Sequence, residues 1–545
     1  MSLTIGILTD GEQVPVWVQQ LLNQLQQLPG VEIRFVVQRA SNSTSDTNTS
    51  KTVYRILRAV DRKLFSAGSA LFRKTQLQLN KEVPVLSVRP LTGTFTDDIS
   101  AADCEQIRSF QPDLLLRFGF RILKGEILQA ARYGILSLHH GDAYVNRGGP
   151  PAFWEVVKKE EVTGVTLQLL SSELDGGMVL GQAFTRTDVY SFNRNQSALY
   201  AAGIELFVNE IKIIASQGAD SYFNQKRKEQ VSLRSYDRPL YKDPGNFTSF
   251  CIAVKLLYRN MNLQFSKLLY RKQWVLYCRF RKNGELSLAP YQFKKLKVPG
   301  DRIWADPFPV KYENGYVVFF EEKFWNRKEA QIACIHFSDK GIPYINSRKV
   351  VVEEPFHLSY PFILHCQNQW YMIPESADAN EVILYQAVSF PYKWERKKTL
   401  LRNVKAFDST IIEHEGRWYL FCTVQKEKGL SPHAYLHIYH SDDPVNGEWK
   451  AHPMNPVYSD VRSARPAGKL FRHKGMLIRP AQQGAPVYGY AVKFFEVVKL
   501  SATEFEERWI SSIEPLWEKN LIATHTFNNE GGLTVMDVQV KRRKF

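Results

Sequence analysis

In the amino-terminal part of the chain, short uninterrupted apolar runs alternate with stretches of helical spacing. Leu3–Leu8 reads as a buried strand, and the run over 16–28 as the helix behind it. Ile135–Leu138 reads as a second buried strand that delivers His139, and Val165–Leu170 as a third that delivers Asp175 through a Gly-Gly turn. The 36 positions from His139 to Asp175 leave room for a helix between the two strands. Helical spacing returns over 197–215, and from about Trp274 the pattern changes to short apolar strands divided by polar turns. These shifts predict an α/β domain over 1–215, a basic linker with one helix near 250–259 over 216–270, and an all-β domain over 271–545.

Two segments interrupt the first domain. Residues 41–50 are polar and lack the apolar surface to pack, so a mobile loop is expected. After them Tyr54, Ile56, Leu57, Val60 and Leu64 recur at helical intervals with Arg and Lys between. Such a helix covers a core or lies on a membrane surface. Core cover is the favoured reading, with peripheral membrane contact as the alternative.

The all-β region repeats itself. Four segments share a small or charged opening, a strand, a turn and an aromatic-rich strand, opening at Asp306, Tyr360, Asp408 and Arg465 with spacings of 54, 48 and 57. Those periods suit four-stranded propeller blades, and Trp274–Phe280 with the C-terminal region supplies another, giving five. Glu321, Glu375 and Thr423 each follow their opening residue by 15 positions. Equivalent positions ring a propeller's channel, so Asp306, Glu375, Asp408 and Arg465 are expected to converge on one funnel beside Trp304, Tyr360 and Tyr419. Carboxylates, a guanidinium and aromatic faces together suit a polyhydroxylated ligand. The alternative is that these acids pair with Arg465 and Arg479 and hold the channel together.

His139 and Asp175 fit acid–base work, since a carboxylate on one imidazole nitrogen fixes the tautomer and leaves the other nitrogen to move a proton. Their surroundings, with Leu174-Asp175-Gly176-Gly177, Gln111–Leu128 and the Arg147-Gly148-x-Pro150 loop, resemble the folate-dependent formyltransferases over residues 1–215. The resemblance implies a Rossmann-type open sheet with 10-formyltetrahydrofolate as co-substrate. It also implies backbone contacts to the pterin from the strand and turn that hold Phe118, Gly119, Phe120 and Arg121, with Glu173 as a further cofactor contact. Where the family carries an asparagine that stabilises the oxyanion, this chain has Ser137, followed by His139 and His140. Either Ser137 or His140 supplies that donor, or the reaction has changed.

The repeat region resembles the five-bladed propellers of family 43 glycoside hydrolases. It is also similar, over 275–530, to the amino-terminal domain of plant glucosamine inositolphosphorylceramide transferases, on the segments WADPF, HLSYPF, SDVRSARPAGKLF, RPAQ and YGYAV.

Composition narrows the partners only a little. A net charge of +16 permits acidic partners without selecting one. No run reaches the roughly 18 apolar residues of a spanning helix, and the start of the chain reads as a strand, so the expected compartment is the cytoplasm. The six cysteines lack metal-ligand spacing, so no metal is expected. A counterpart of the small barrel that resembling enzymes use on tRNA is not recognisable, and no nucleic-acid partner is expected. The leading expectation is formyl transfer to an amino sugar during glycan or glycolipid synthesis, with a propeller that grips the glycan. A propeller glycosidase and a non-catalytic glycan-binding protein are the alternatives.

Overall fold

The computed structural model describes residues 2–40, 51–66, 68–93, 95–173, 176–229, 236–282, 285–286, 288–427 and 429–544. The polar segment 41–50 and Asp175 lie outside the described residues. Two compact units divide the chain, Met1–Asn260 and Met261–Phe545.

The first unit is built on a seven-stranded sheet. Its strands are β1 (Leu3–Thr9), β2 (Val31–Arg39), β3 (Val85–Val88), β4 (Leu114–Arg117), β5 (Gly134–His139), β6 (Val162–Leu169) and β7 (Met178–Arg186). They lie in the order β7-β6-β5-β4-β1-β2-β3. Every residue of β1 is buried, as expected of a central strand flanked on both edges and covered on both faces. Helices α1 (Val16–Leu25), α2 (Thr52–Leu64), α3 (Ala101–Ser109), α4 (Trp154–Lys158), α5 (Phe192–Gln217) and α6 (Ala219–Glu229) belong to this unit, as does α7 (Asn246–Leu269) up to Asn260. In α1 the spacing of Trp17, Val18, Leu21, Leu22 and Leu25 turns one apolar face inward. Ser191 caps α5 by accepting from the Arg194 N–H, and Gly218, at φ 83°, ends it.

The pairing around His139 differs from a strand–helix–strand unit. β5 runs parallel to β4 but antiparallel to β6, with His139 opposite Thr166, and only the five-residue α4 lies between them. The C-terminal end of β6 therefore sits beside the start of β5, where the Leu170 N–H donates to the Ile135 carbonyl at 2.8 Å. The region 216–270 carries two helices, α6 and α7, where the sequence pattern predicts one.

The second unit is a five-bladed propeller. Four blades run in sequence from 302–352, 359–402, 406–459 and 471–513. The fifth joins Tyr270–Phe280 to Leu533–Arg543, an antiparallel pair in register from Tyr270–Arg543 to Phe280–Leu533. Both ends of this unit thus close one sheet, which leaves no unpaired first or last strand.

Three of the four repeat openings are β-bulges. Register shifts fall at 305/308, 359/362 and 407/410, and within them Asp306, Tyr360 and Asp408 adopt left-handed φ angles of 51°, 45° and 54°. A non-glycine residue there costs roughly 1–2 kcal/mol, and neighbouring blades hold two of these residues in place. Asp537 of the fifth blade accepts from the Asp306 N–H at 2.9 Å, and Asp306 accepts from the Tyr360 N–H at 3.2 Å. Each acid caps the bulge of the next blade. The 15-residue spacing matches pairing one residue earlier, with Ala305, Ser359 and Phe407 opposite Glu321, Glu375 and Thr423.

Candidate functional site

In the first unit, the end of β5 opens on a cleft of about 220 Å³. Ile122 and Leu123 form one wall, Ser137–His140 the floor, and Gln168, Leu170, Ser171 and Glu173 the other. β6 points away from His139, so the loop after it turns back, and Glu173 reaches Arg147 at 3.3 Å.

His139 is buried, and its Nε2 lies 2.7 Å from the Asn146 carbonyl oxygen. A carbonyl only accepts, so Nε2 carries the proton and the lone pair of the neutral ring is on Nδ1. Gly141 makes this contact possible, because a Cβ there would sit 2.7 Å from both the Asn146 oxygen and His139 Nε2. Asn146 donates onward to Glu160 at 3.1 Å. Beside this network Glu155 is buried, and desolvation pushes its carboxyl up to about 7 against the pull of Asn146 and His139.

The serine in place of asparagine is not isolated. Arg117, at the end of β4, donates to Ser137 Oγ at 3.0 Å and to the carbonyls of Phe120 and Arg121 at 3.0 and 2.9 Å. A guanidinium thus stands behind the serine hydroxyl and orients it. His140 stacks on Tyr200 at 3.9 Å and meets Trp17 edge-on at 5.6 Å. Burial holds its pKa down to about 3, so the ring stays neutral.

The turn expected to contact the pterin is occupied by the protein itself. Phe118 packs between Trp17 and Phe207, and Gly119 sits against the Thr9–Asp10 backbone, where a Cβ would be 2.4 Å from the Asp10 nitrogen. Phe120 buries its ring in the core and donates its N–H to Asp10 at 2.6 Å, while the Arg121 N–H goes to Asp97 at 2.8 Å. The cleft wall starts one residue later, at Ile122. What the cleft does offer is the buried Gln168 Oε1 and His140 Nε2, neither of which has a hydrogen-bond partner among the described residues. The acceptor left unpaired beside apolar walls fits a flat heterocycle with an N–H group on its edge, and the unpaired His140 nitrogen can donate to a ligand oxygen.

In the propeller, Arg465, between the third and fourth blades, reaches acids of the second and third. Its guanidinium donates to both Asp408 oxygens at 2.5 and 3.0 Å and to Glu375 at 3.0 Å, with His433 Nδ1 2.8 Å away. Of the four expected funnel residues, Glu375, Asp408 and Arg465 thus touch one another, while Asp306 accepts from Thr526 and the Tyr360 N–H. Burial raises the Glu375 carboxyl to about 8 although Arg465 opposes the shift, and raises Asp306 to about 6 although His525 opposes it. Burial also carries Glu321 upward, with Asp306 adding to the shift. His525 stacks on Trp274 at 4.0 Å and lies 2.7 Å from Asp537 and 3.7 Å from Asp306. Burial would lower its pKa, but these two acids bring it to about 9. Asp306, His525 and Asp537 bring potential metal-ligating atoms within 4.8 Å of one another, with His525 close enough to hydrogen-bond only to Asp537.

The expected aromatic neighbours sit elsewhere. Trp304 packs between blades and donates to Glu322 at 3.0 Å, and Tyr419 belongs to a separate inter-blade core. Tyr360 is fully buried, its hydroxyl receiving the Gly468 N–H at 2.7 Å. Half-buried Phe407 and Tyr488 flank Arg465 instead, at 5.2 and 5.4 Å. Arg479 pairs with Glu507 and the Ser463 carbonyl, outside the funnel. Sequence reasoning passed over Arg117, Gln168 and Glu155. Arg117 carried a signal as the one polar residue of an apolar strand and Gln168 as the one amide of its strand, whereas Glu155 in its short helix carried none.

Residues 292–528 match the family model for the N-terminal part of glucosamine inositolphosphorylceramide transferase 1. The chain is 34% identical over 205 residues to glucosamine inositolphosphorylceramide transferase 1 of Oryza sativa subsp. japonica, a match that covers 37% of this chain and 27% of that protein. It is 31% identical over 121 residues to methionyl-tRNA formyltransferase of Chlorobium limicola, covering 22% of this chain and 38% of that protein. Among solved structures, the family 117 glycoside hydrolase Zg3597 of Zobellia galactanivorans aligns over 50% of this chain and 90% of its own, at 14% identity and a TM-score of 0.32. The chain joins a formyltransferase-like α/β domain to a five-bladed propeller.

Proposed function

We propose that the chain is a transferase of the formyltransferase type that places a one-carbon group on the amino group of a sugar destined for a glycan or glycolipid. The observation that carries this reading is His139, held at the strand end with its basic nitrogen set by Asn146, over a cleft whose Gln168 and His140 await a ligand. The similarity to a methionyl-tRNA formyltransferase and to a glycolipid transferase supports the reaction type and the acceptor class.

10-Formyltetrahydrofolate would supply the formyl group, with Leu123, Gln168 and Leu170 as the residues to hold its ring. As the amine nitrogen bonds to the formyl carbon and the bond from that carbon to the folate nitrogen breaks, His139 Nδ1 would take the amine proton and return it to the departing nitrogen, with Asp175 stabilising the imidazolium in between. Ser137, oriented by Arg117, donates its hydroxyl to the oxygen on which negative charge develops. Neutral His140 is the second donor at that oxygen. The propeller binds the glycan, with Arg465 and the funnel acids facing sugar hydroxyls and Tyr488 a ring face.

In a transfer assay with an amino-sugar acceptor, His139→Ala and Asp175→Asn should each lower turnover by about 10²–10⁴-fold with the fold intact. Full activity in either variant would remove the assignment. A glycosidase reading is favoured only by the high Glu375 and Asp306 pKa values, since Arg465 already engages Glu375 and Asp408. Release of sugar from a glycan library, abolished by Asp306→Asn with Glu375→Gln, would establish it instead.

A further inference from the structure

Two helices of the first unit pack on one small core and leave apolar faces uncovered. Tyr54 and Leu57 of α2 and Ile252 and Leu256 of α7 share a cluster with Phe153 and Phe192. Their amino-terminal ends are tied together, the Val53 N–H donating to Asn246 at 2.9 Å and Lys51 pairing with Asp243 at 3.0 Å. Arg259 clamps α7 further by donating to the carbonyls of Val156 and Val157, both at 2.7 Å. These contacts fix the inner faces, and the outer faces then have no choice of orientation.

Within the first unit the outer face of α7 is apolar, with Phe247, Phe250, Val254 and Leu257 exposed, Phe247 by 81%. At 3.6 residues per turn they fall within an arc of about 100°, opposite Ile252 and Leu256. On α2, Ile56, Val60 and Leu64 form a second exposed stripe, Leu64 by 69%. A monomer that displays so much contiguous apolar surface uses it for docking.

Charge decides what docks. α7 contains no aspartate or glutamate, and the single acid of α2, Asp61, is turned inward to accept the Asn193 N–H at 2.7 Å. The exposed charges of the two helices within the first unit are Arg55, Arg62, Lys63 and Lys255, all positive, and the exposed Asp243 just ahead of α7 is already paired with Lys51. A second copy of the chain would set these cations against their own kind, with no carboxylate on either helix to meet them. An anionic lipid surface meets both the charge and the apolar stripe. No described helix is long and apolar enough to cross a bilayer, so the helices would lie in its plane.

We propose that the outer faces of α2 and α7 form one surface that docks on an anionic lipid bilayer. Phe247, Phe250 and Leu257 enter the boundary between headgroups and acyl chains, and the flanking lysines and arginines meet the lipid phosphates. This inference goes beyond the transfer reaction and stands or falls without it. If both hold, the enzyme works at a membrane whose lipid carries the acceptor glycan.

Full-length chain sedimented with phosphatidylcholine vesicles containing roughly 30% phosphatidylglycerol should pellet with them, and partition into pure phosphatidylcholine should be at least about tenfold weaker. Phe250→Glu with Leu257→Glu should reduce anionic-vesicle binding by about tenfold or more. Arg62→Glu with Lys63→Glu, which leaves every apolar contact in place, should reduce it as well. The proposal is overturned if the wild-type chain stays in the supernatant, if both variants pellet as it does, or if sedimentation equilibrium shows a dimer that Phe250→Glu with Leu257→Glu converts to monomer.

Discussion

At the residue scale, the chemistry of the cleft depends on which imidazole nitrogen carries a proton, and that choice is made by a backbone carbonyl. The Asn146 oxygen can approach His139 Nε2 only because position 141 is glycine. Gly141→Ala should therefore part the pair, slow turnover by about tenfold or more and, by leaving a buried polar group unmet, cost ~1–3 kcal/mol of stability. Turnover measured beside thermal unfolding separates the two effects, and a normal rate would show that the carbonyl does not set the tautomer. Ser137 follows the same logic. A serine reaches less far than an asparagine, but Arg117 polarises its hydroxyl from behind, so the replacement comes with a compensating charge. Only the serine was visible as a departure in the sequence; its partner lies on the adjacent strand, 20 positions away.

At the scale of elements, the propeller's openings explain both what periodicity predicted and what it missed. Counting in twos from Asp306 places Trp304 on the same face, but the bulge at 305/308 breaks the alternation. Asp306 turns to accept from Thr526, and Trp304 stays in the packing between blades. Strand alternation cannot foresee such a break, whereas the 54-, 48- and 57-residue spacings survive it because they count whole blades. The axis also stores a pH dependence. Glu375 near 8, Asp306 near 6 and His525 near 9 all hold protons more tightly in the folded unit than their ordinary values of 4.5, 3.8 and 6.5. A raised folded pKa stabilises below the unfolded value and loses that stability as pH climbs to the folded one. The propeller's unfolding free energy should therefore fall between about pH 4 and 9, by up to about 1.4 kcal/mol per pH unit for each titrating group. Glu375→Gln should flatten that slope between about pH 4.5 and 8, as read from urea unfolding followed by tryptophan fluorescence. An unchanged slope would mean that Glu375 is ionised in the folded unit.

At the scale of the whole molecule, the chain joins a formyltransferase-like α/β unit to a closed five-bladed propeller, each with polar groups gathered at one place. Much of this was legible because buried strands announce themselves as apolar runs and blades as repeats. His139 lies where the run 135–138 placed it, and Tyr270–Phe280 closes the ring as the fifth blade's first strand. The antiparallel turn of β6 was hidden, since a strand's direction leaves no mark in its composition. The exposed stripe of α7 was hidden too, because a helix apolar on two faces looks the same whether or not both are covered. The most direct test of the central claim is calorimetric titration of the full-length chain with a non-reactive 10-formyltetrahydrofolate analogue. One site per chain is expected, weakened by about tenfold or more in Gln168→Leu, which removes the acceptor left unpaired in the cleft. Absence of binding up to about 1 mM, or binding that ignores the loss of Gln168, would contradict the assignment of this cleft.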